Sequence, residues 1–260
     1  MLATRRQQYA AALALLLAGA AGCSSDDPDV SGPRPTAATS TTPSATEDGP
    51  PTSEPPSTSA EPQDLSPEEL VETVLVTDAD LLAGGQVETR PDGTQVDGYV
   101  TLDNCGFVFT SEADRTARRQ VNMSSVGADV FSHEVVAYTD ESAATAAIDE
   151  LRESVRTCPS GEPVPSALSS VPTTYEVLEF DEQAPGFPVD DVAVLVERVS
   201  AEDYPTYYVV GIYQRAGNVL NAHYLGGEEP PTARLRRELR RQAMVTGARL
   251  AEVTGAAAST

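Results

Sequence analysis

The chain is poor in the residues that most often carry chemistry. It has no lysine and no tryptophan, two histidines and three cysteines. Its 17 basic residues, all arginine, stand against 40 acidic ones, for a formal net charge of −23. Such acidity favours solubility and repels a phosphate backbone, so nucleic acid is excluded as a partner. The two histidines, His133 and His223, are far apart in the sequence, which argues against a metal site and implies no metal cofactor. No G-x-S-x-G elbow, H-E-x-x-H pair or Walker loop occurs. His133-Glu134 opens like a zinc-protease signature but lacks the second histidine. A serine nucleophile needs a histidine base, and His223, beside Tyr224, would serve only through contacts made on folding. Both histidines read as structural residues, no catalytic residue is assigned, and no cofactor is implied. No apolar run reaches the roughly 20 residues that a membrane-spanning helix requires.

What is present begins at the N-terminus. Arg5 and Arg6 precede a small-apolar run, Ala10 to Ala21, that ends in Leu17-Ala18-Gly19-Ala20-Ala21-Gly22-Cys23. A positive start, a short apolar core and small residues at the cut define a secretory signal. The small residues before Cys23 match the lipobox of bacterial lipoproteins, with Ala20 where leucine is usual. Residues 1–22 are expected to be removed and Cys23 to carry lipid. The alternative is an ordinary signal cut elsewhere, with Cys23 free. Arg5-Arg6 fits a twin-arginine signal poorly, given Gln7, Gln8 and Tyr9. Lipidation at Cys23 makes the membrane a partner through two acyl chains, enough for stable attachment. It places the protein on the outer face of the cytoplasmic membrane, in the cell envelope.

Residues 23–64 are dominated by Pro, Ser, Thr, Ala and acidic side chains. Such a tract buries too little apolar surface to offset its ordering entropy and reads as a disordered linker. As a flexible coil it spans on the order of 35 Å. With Cys23 assigned to lipid, Cys105 and Cys158 remain as a pair. In an oxidising compartment they are expected to form a disulfide.

One α+β exported domain is expected over residues 65–254, followed by a disordered tail at 255–260. Ser66-Pro67-Glu68-Glu69 is a capping box that opens a helix running to about Val76. Strands are expected near Gln86–Thr89, Gly98–Leu102, Gly106–Thr110 and Val130–Tyr138, while Ser111–Arg119 reads as loop or short helix. Glu141–Cys158 has Ala144, Ile148, Leu151 and Val155 on one helical stripe. Further strands fall at Thr174–Phe180 and Val192–Glu197, where Val192, Val194 and Val196 alternate with Ala193, Leu195 and Glu197. A hairpin is expected at Tyr207–Gln214 and Val219–Leu225, around Ala216-Gly217-Asn218. Thr232–Val253 forms the last helix, with Leu235, Leu239, Ala243 and Leu250 facing inward. Strands in consecutive runs argue for an antiparallel sheet with helices packed on one face. Strands leading into each long helix suggest two similar halves.

Two surfaces stand out. Tyr204, Tyr207, Tyr208, Tyr213 and Tyr224 offer apolar area with a polar tip, for sheet packing or for a ligand. Arg234, Arg237, Arg240 and Arg241 line the last helix, facing either anionic headgroups or the domain's own carboxylates, Glu228, Glu229 and Glu238.

Cys105, then His133-Glu134-Val135-Val136-Ala137-Tyr138, then an Ala-rich helix ending Arg156-Thr157-Cys158-Pro159, together resemble the extracellular sensor domains of mycobacterial receptor-type kinases and related actinobacterial lipoproteins, the PknH-like sensor family. The resemblance implies an α+β domain outside the membrane, held by disulfides, with a cleft for an unidentified ligand. That family usually has two disulfides and a tryptophan near the helix end, where this chain has one cysteine pair and no tryptophan. The expected function is a membrane-anchored, non-enzymatic ligand-binding or sensor-like lipoprotein. Its partner would be an unknown small ligand or an envelope protein. An envelope assembly factor and a lipid carrier are the alternatives, with an enzyme behind both.

Overall fold

The middle of the molecule is a pair of adjacent antiparallel strands, β3 (Val130–Tyr138) and β8 (Val219–Gly227). A computed structural model describes residues 65–124 and 130–256. The expected leader, lipidated Cys23, linker and last four tail residues lie outside the described residues.

The chain enters with helix α1 (Pro67–Val74), where the capping box forms as the sequence requires. Ser66 Oγ accepts from the Glu69 amide, and the Ser66 amide donates to the Glu69 carboxylate at 3.0 Å. A short 3-10 turn at Asp78–Asp80 leads to β1 (Gln86–Thr89). Next come β2 (Arg115–Ser124), β3 and helix α2 (Glu141–Arg156). The second half holds β4 (Pro163–Val164), β5 (Thr173–Asp181), β6 (Asp191–Ala201), β7 (Tyr207–Ala216), β8 and helix α3 (Ala233–Thr254). The architecture is α+β, an eight-stranded sheet in the order β1-β2-β3-β8-β7-β6-β5-β4 with every neighbour antiparallel.

Two meanders, β1-β2-β3 and β4 to β8, meet at the β3–β8 seam, and each ends in a strand followed by a long helix. The expectation that the helices share one face is corrected. Along β3, Val135 and Ala137 join the core of α1 and α3, while Val136 and Tyr138 join the core of α2. Alternate residues of a strand point to opposite faces, so α2 lies on one face and α1 with α3 on the other. Both faces are therefore covered, which accounts for the near-complete burial of β3.

Helix boundaries follow local chemistry. Asp140 caps α2 by accepting from the Ala143 amide at 2.9 Å, and Thr232 caps α3 through the Leu235 amide. Gly255, at φ +68°, ends α3 in the left-handed conformation that favours glycine. In the β7–β8 hairpin Ala216 pairs with Val219 around Gly217-Asn218, and Gly217 has φ +53°. Leu239, Ala243 and Leu250 are buried as expected, with Leu235 half-buried.

Two expected strands, Gly98–Leu102 and Gly106–Thr110, are absent; of the stretch read as loop or short helix, Thr110–Asp114 is a 3-10 helix, while β2 takes the part from Arg115. Three arginines and a glutamine mask the period of β2. Ala117, Val121 and Met123 nonetheless face the α3 core, while Arg118 and Gln120 are buried on the opposite face. The apolar residues at 100–109 serve a loop instead. Cys105 and Gly106, at φ +55° and +66°, turn the chain there. Among the described residues no helix is long and apolar enough to cross a membrane.

Candidate functional site

On the α2 face the helix covers only part of the sheet. The rest is roofed by residues 100–104 and 166–168, leaving a cleft of about 170 Å³ with mostly apolar walls. Its titratable groups come from β3 (Glu134), β6 (Glu197), β7 (Tyr207 and Tyr213), β8 (Tyr224), β5 (Tyr175) and the roof (Asp103). An apolar cavity of about 150 Å³ accepts a benzene-sized molecule, which sets the scale.

The roof is fixed at several points. Cys105 and Cys158 are joined by a disulfide with Cα atoms 5.1 Å apart. The expected pairing therefore forms, and it ties the chain just past α2 to the loop that carries Cys105. Asn104 donates to Ser154 Oγ at 3.3 Å. Asp103 accepts from Ser166 Oγ at 2.6 Å and from the Leu168 amide at 3.2 Å, joining the two roof segments. The Glu112 carboxylate receives the amides of Thr101 and Leu102 at 3.0 and 3.1 Å.

The side wall toward β2 is a neutralised ion cluster. Arg118, 2% exposed, donates to Asp92 and to Glu134, both at 2.7 Å, and to Gln120 at 3.2 Å. Its guanidinium also lies over the Tyr99 ring at 4.8 Å. Thr101 donates to Glu134 as well. A buried arginine paired and hydrogen-bonded in this way is a structural group, and it leaves Glu134 with its charge balanced.

Glu197 differs from Glu134 in this respect. It is 8% exposed, and its Oε2 is buried with no hydrogen-bond donor. Burial, reinforced by the nearby Asp103, pushes its carboxyl up to about 8. At neutral pH Glu197 is therefore mostly protonated. It sits on the phase of Ala193 and Leu195, the residues of β6 that pack under α2. A charged side chain at a core phase of an otherwise apolar strand is the signal that would have singled it out from the sequence.

Tyr213 and Tyr224 meet edge to face at 5.7 Å. Burial raises both phenols above the ordinary tyrosine range, so both stay uncharged. A Cβ on Gly211 would fall 2.5 Å from Cε2 of Tyr213, so the missing side chain is what lets that ring lie along the strand. Of the five tyrosines read from the sequence, Tyr207, Tyr213 and Tyr224 reach the cleft, while Tyr204 and Tyr208 do not line it. Tyr175 and Asp103 join them without having been anticipated.

The histidines come together on the opposite face. His133 and His223 are register partners, stacked at 4.1 Å with planes 11° apart. Their separation in sequence is thus no guide to their separation in space. His133 Nδ1 accepts the Val76 amide at 3.1 Å, and Nε2 donates to Asn221 Oδ1. Asn221 in turn donates to Gln214 at 2.8 Å and to Thr246 at 3.0 Å. His223 Nε2 donates to Thr246 Oγ1 at 2.7 Å. Burial first, and then mutual proximity for His223, keeps both rings neutral, with His133 lowered to about 4. Among the described residues neither ring hydrogen-bonds a serine or a carboxylate. Among the described residues no three His, Cys, Asp or Glu side chains converge as a metal site.

Four arginines of α3 have partners within the domain, while Arg234 and Arg237 are exposed. Arg241 pairs with Glu238 at 2.6 Å, Arg236 with Glu179 at 2.8 Å and Arg249 with Asp80 at 3.0 Å. Arg240 lies over Phe187 at 4.4 Å and donates to the Pro185 carbonyl. Glu238, one of the expected carboxylates, thus pairs with an arginine of its own helix.

No model of a known protein family matches the chain, and no curated protein matches it. Among solved structures, the extracellular domain of PknH from Mycobacterium tuberculosis is similar at 13% identity and a TM-score of 0.46, covering 72% of this chain and 100% of that one.

Proposed function

We propose that this protein is a non-enzymatic, sensor-like binding domain held outside the cytoplasmic membrane by a lipidated Cys23, and that its cleft takes a small ligand. The observation that carries the reading is Glu197, a carboxyl buried at the cleft with one oxygen facing no donor. An unmet buried acceptor costs about 1–3 kcal/mol, and a ligand that supplies the missing partner recovers that cost. Largely apolar walls with a few convergent polar groups and one perturbed carboxyl are the usual form of a small-molecule site.

The histidines support a binding rather than a catalytic role, because both are committed to the core behind the sheet. The disulfide suits an oxidising compartment, and the lipobox-like run before Cys23 supplies the anchor. Thermal unfolding of the mature protein, purified from the envelope fraction, tests the reading against a collection of cell-envelope metabolites. At least one should raise the melting temperature, with the shift abolished when Glu197 or Tyr213 is replaced. A collection that leaves the melting temperature unchanged throughout, while the protein binds another envelope protein, would move the function to the assembly-factor alternative.

A further inference from the structure

The binding reading leaves the class of ligand open, and the chemistry of the cleft narrows it. Of the described residues that line it, three are acidic (Asp103, Glu134 and Glu197) and none is basic. Of the arginines that bond to its lining residues, Arg118 is committed to Asp92, Glu134 and Gln120, and Arg115 to Thr101 and the Tyr99 carbonyl. An anionic ligand would meet no countercharge. Tyrosine faces add a second preference, since aromatic rings attract a cation through their electron-rich faces.

Resting on the reading above, we infer that the cleft recognises a small organic cation, an ammonium group on an apolar body, and that the ammonium seats against Oε2 of Glu197. The apolar body fits the aliphatic and tyrosine walls, and the ammonium supplies the donors that Oε2 lacks. Three titratable groups bear on Glu197: Asp103 from the roof, Tyr175 from β5 and Tyr213 from β7. From α2 the cleft receives Leu151, which carries no charge. Both tyrosines stay neutral because burial raises them, so Asp103 and Glu197 set the charge.

The free cleft holds Glu197 protonated at neutral pH. When an ammonium arrives, the ionised carboxylate becomes the favoured form. The carboxyl then releases its proton to solvent, and carboxylate and ammonium remain paired. Binding is therefore coupled to release of one proton per ligand near neutral pH, and affinity rises as pH approaches 8.

Three probes of similar shape separate the outcomes by calorimetry on the mature protein: benzylamine, benzyl alcohol and benzoate. Benzylamine should bind in the millimolar range or better, with a heat that differs between phosphate and Tris buffers because a proton is released. Glu197→Gln, checked for folding by its melting temperature, should weaken benzylamine about tenfold to a hundredfold and remove the buffer dependence. Asp103→Asn should weaken it less. Equal binding of benzylamine and benzyl alcohol, unchanged by Glu197→Gln, would overturn cation recognition while leaving the binding cleft in place. Preference for benzoate would do the same. Binding of none of the three would count against both the cation and the cleft.

Discussion

His133 and His223 face each other across the β3–β8 seam with rings stacked at 4.1 Å, and both are neutral because the core around them excludes water. One ring from each meander thus meets at the line where the two halves of the sheet join. The stack ties α1 to the sheet through the Val76 amide and α3 through Thr246. It sits behind the cleft and gives the sheet a rigid, uncharged backing.

That arrangement sets the acid limit of stability. In the unfolded chain each histidine takes up a proton near the ordinary value of 6.5, whereas folded His133 resists until about 4. The unfolded state therefore binds more protons between those values. The stabilisation is complete above about 6.5 and is lost as pH falls toward 4. Urea unfolding at pH 7 and pH 4.5 should differ by roughly 2–3 kcal/mol from His133 alone. His223→Gln should flatten this limb by removing the second buried imidazole.

Gly211 is expected to tolerate no side chain. A methyl group there would overlap the Tyr213 ring and drive it toward the cleft. Gly211→Ala should cost about 1–3 kcal/mol and reduce ligand binding together. The double variant Gly211→Ala with Tyr213→Ala should recover part of the stability but none of the binding. Melting curves with and without ligand distinguish the two effects.

The disulfide should matter to the site as well as to the fold. It closes a loop of 53 residues and holds the roof that carries Asp103 and Asn104. Reduction, or Cys158→Ser, should lower stability by about 2–4 kcal/mol. Hydrogen exchange should show faster opening at residues 100–104 than in β6 or β7. Equal protection with and without the bond would mean that the roof holds itself.

The anchor is tested in the cell. Wild-type protein should partition with membranes and yield an N-terminal fragment at Cys23 whose mass carries the acyl chains. Cys23→Ser should abolish that mass and release the protein from the membrane fraction. An unmodified Cys23 in native protein would remove the basis for the assigned compartment.

Much of the fold was legible because its signals are local. The capping box at Ser66-Glu69, the stripe of Ala144, Ile148, Leu151 and Val155, and the Gly217-Asn218 turn depend on residues a few positions apart. What depends on distant pairing was not legible. β2 was obscured because Arg118 is buried by ion pairs with Asp92 and Glu134, which lie on separate segments. The stacking of His133 on His223 depends on strand order. The placement of α2 opposite α3 depends on which phase of β3 each helix covers. The cleft was legible only in part: its tyrosines were visible as a group, whereas Glu197 was hidden by an apolar strand whose alternation points it inward.

The most direct measurement is the titration of the Glu197 carboxyl by carbon NMR on selectively labelled protein, with Glu197→Gln to assign the signal. The free protein should titrate near pH 8, and saturating benzylamine should move that midpoint down toward the ordinary glutamate range. A carboxyl that already titrates near 4.5 in the free protein, or that does not respond to the amine, would contradict the account.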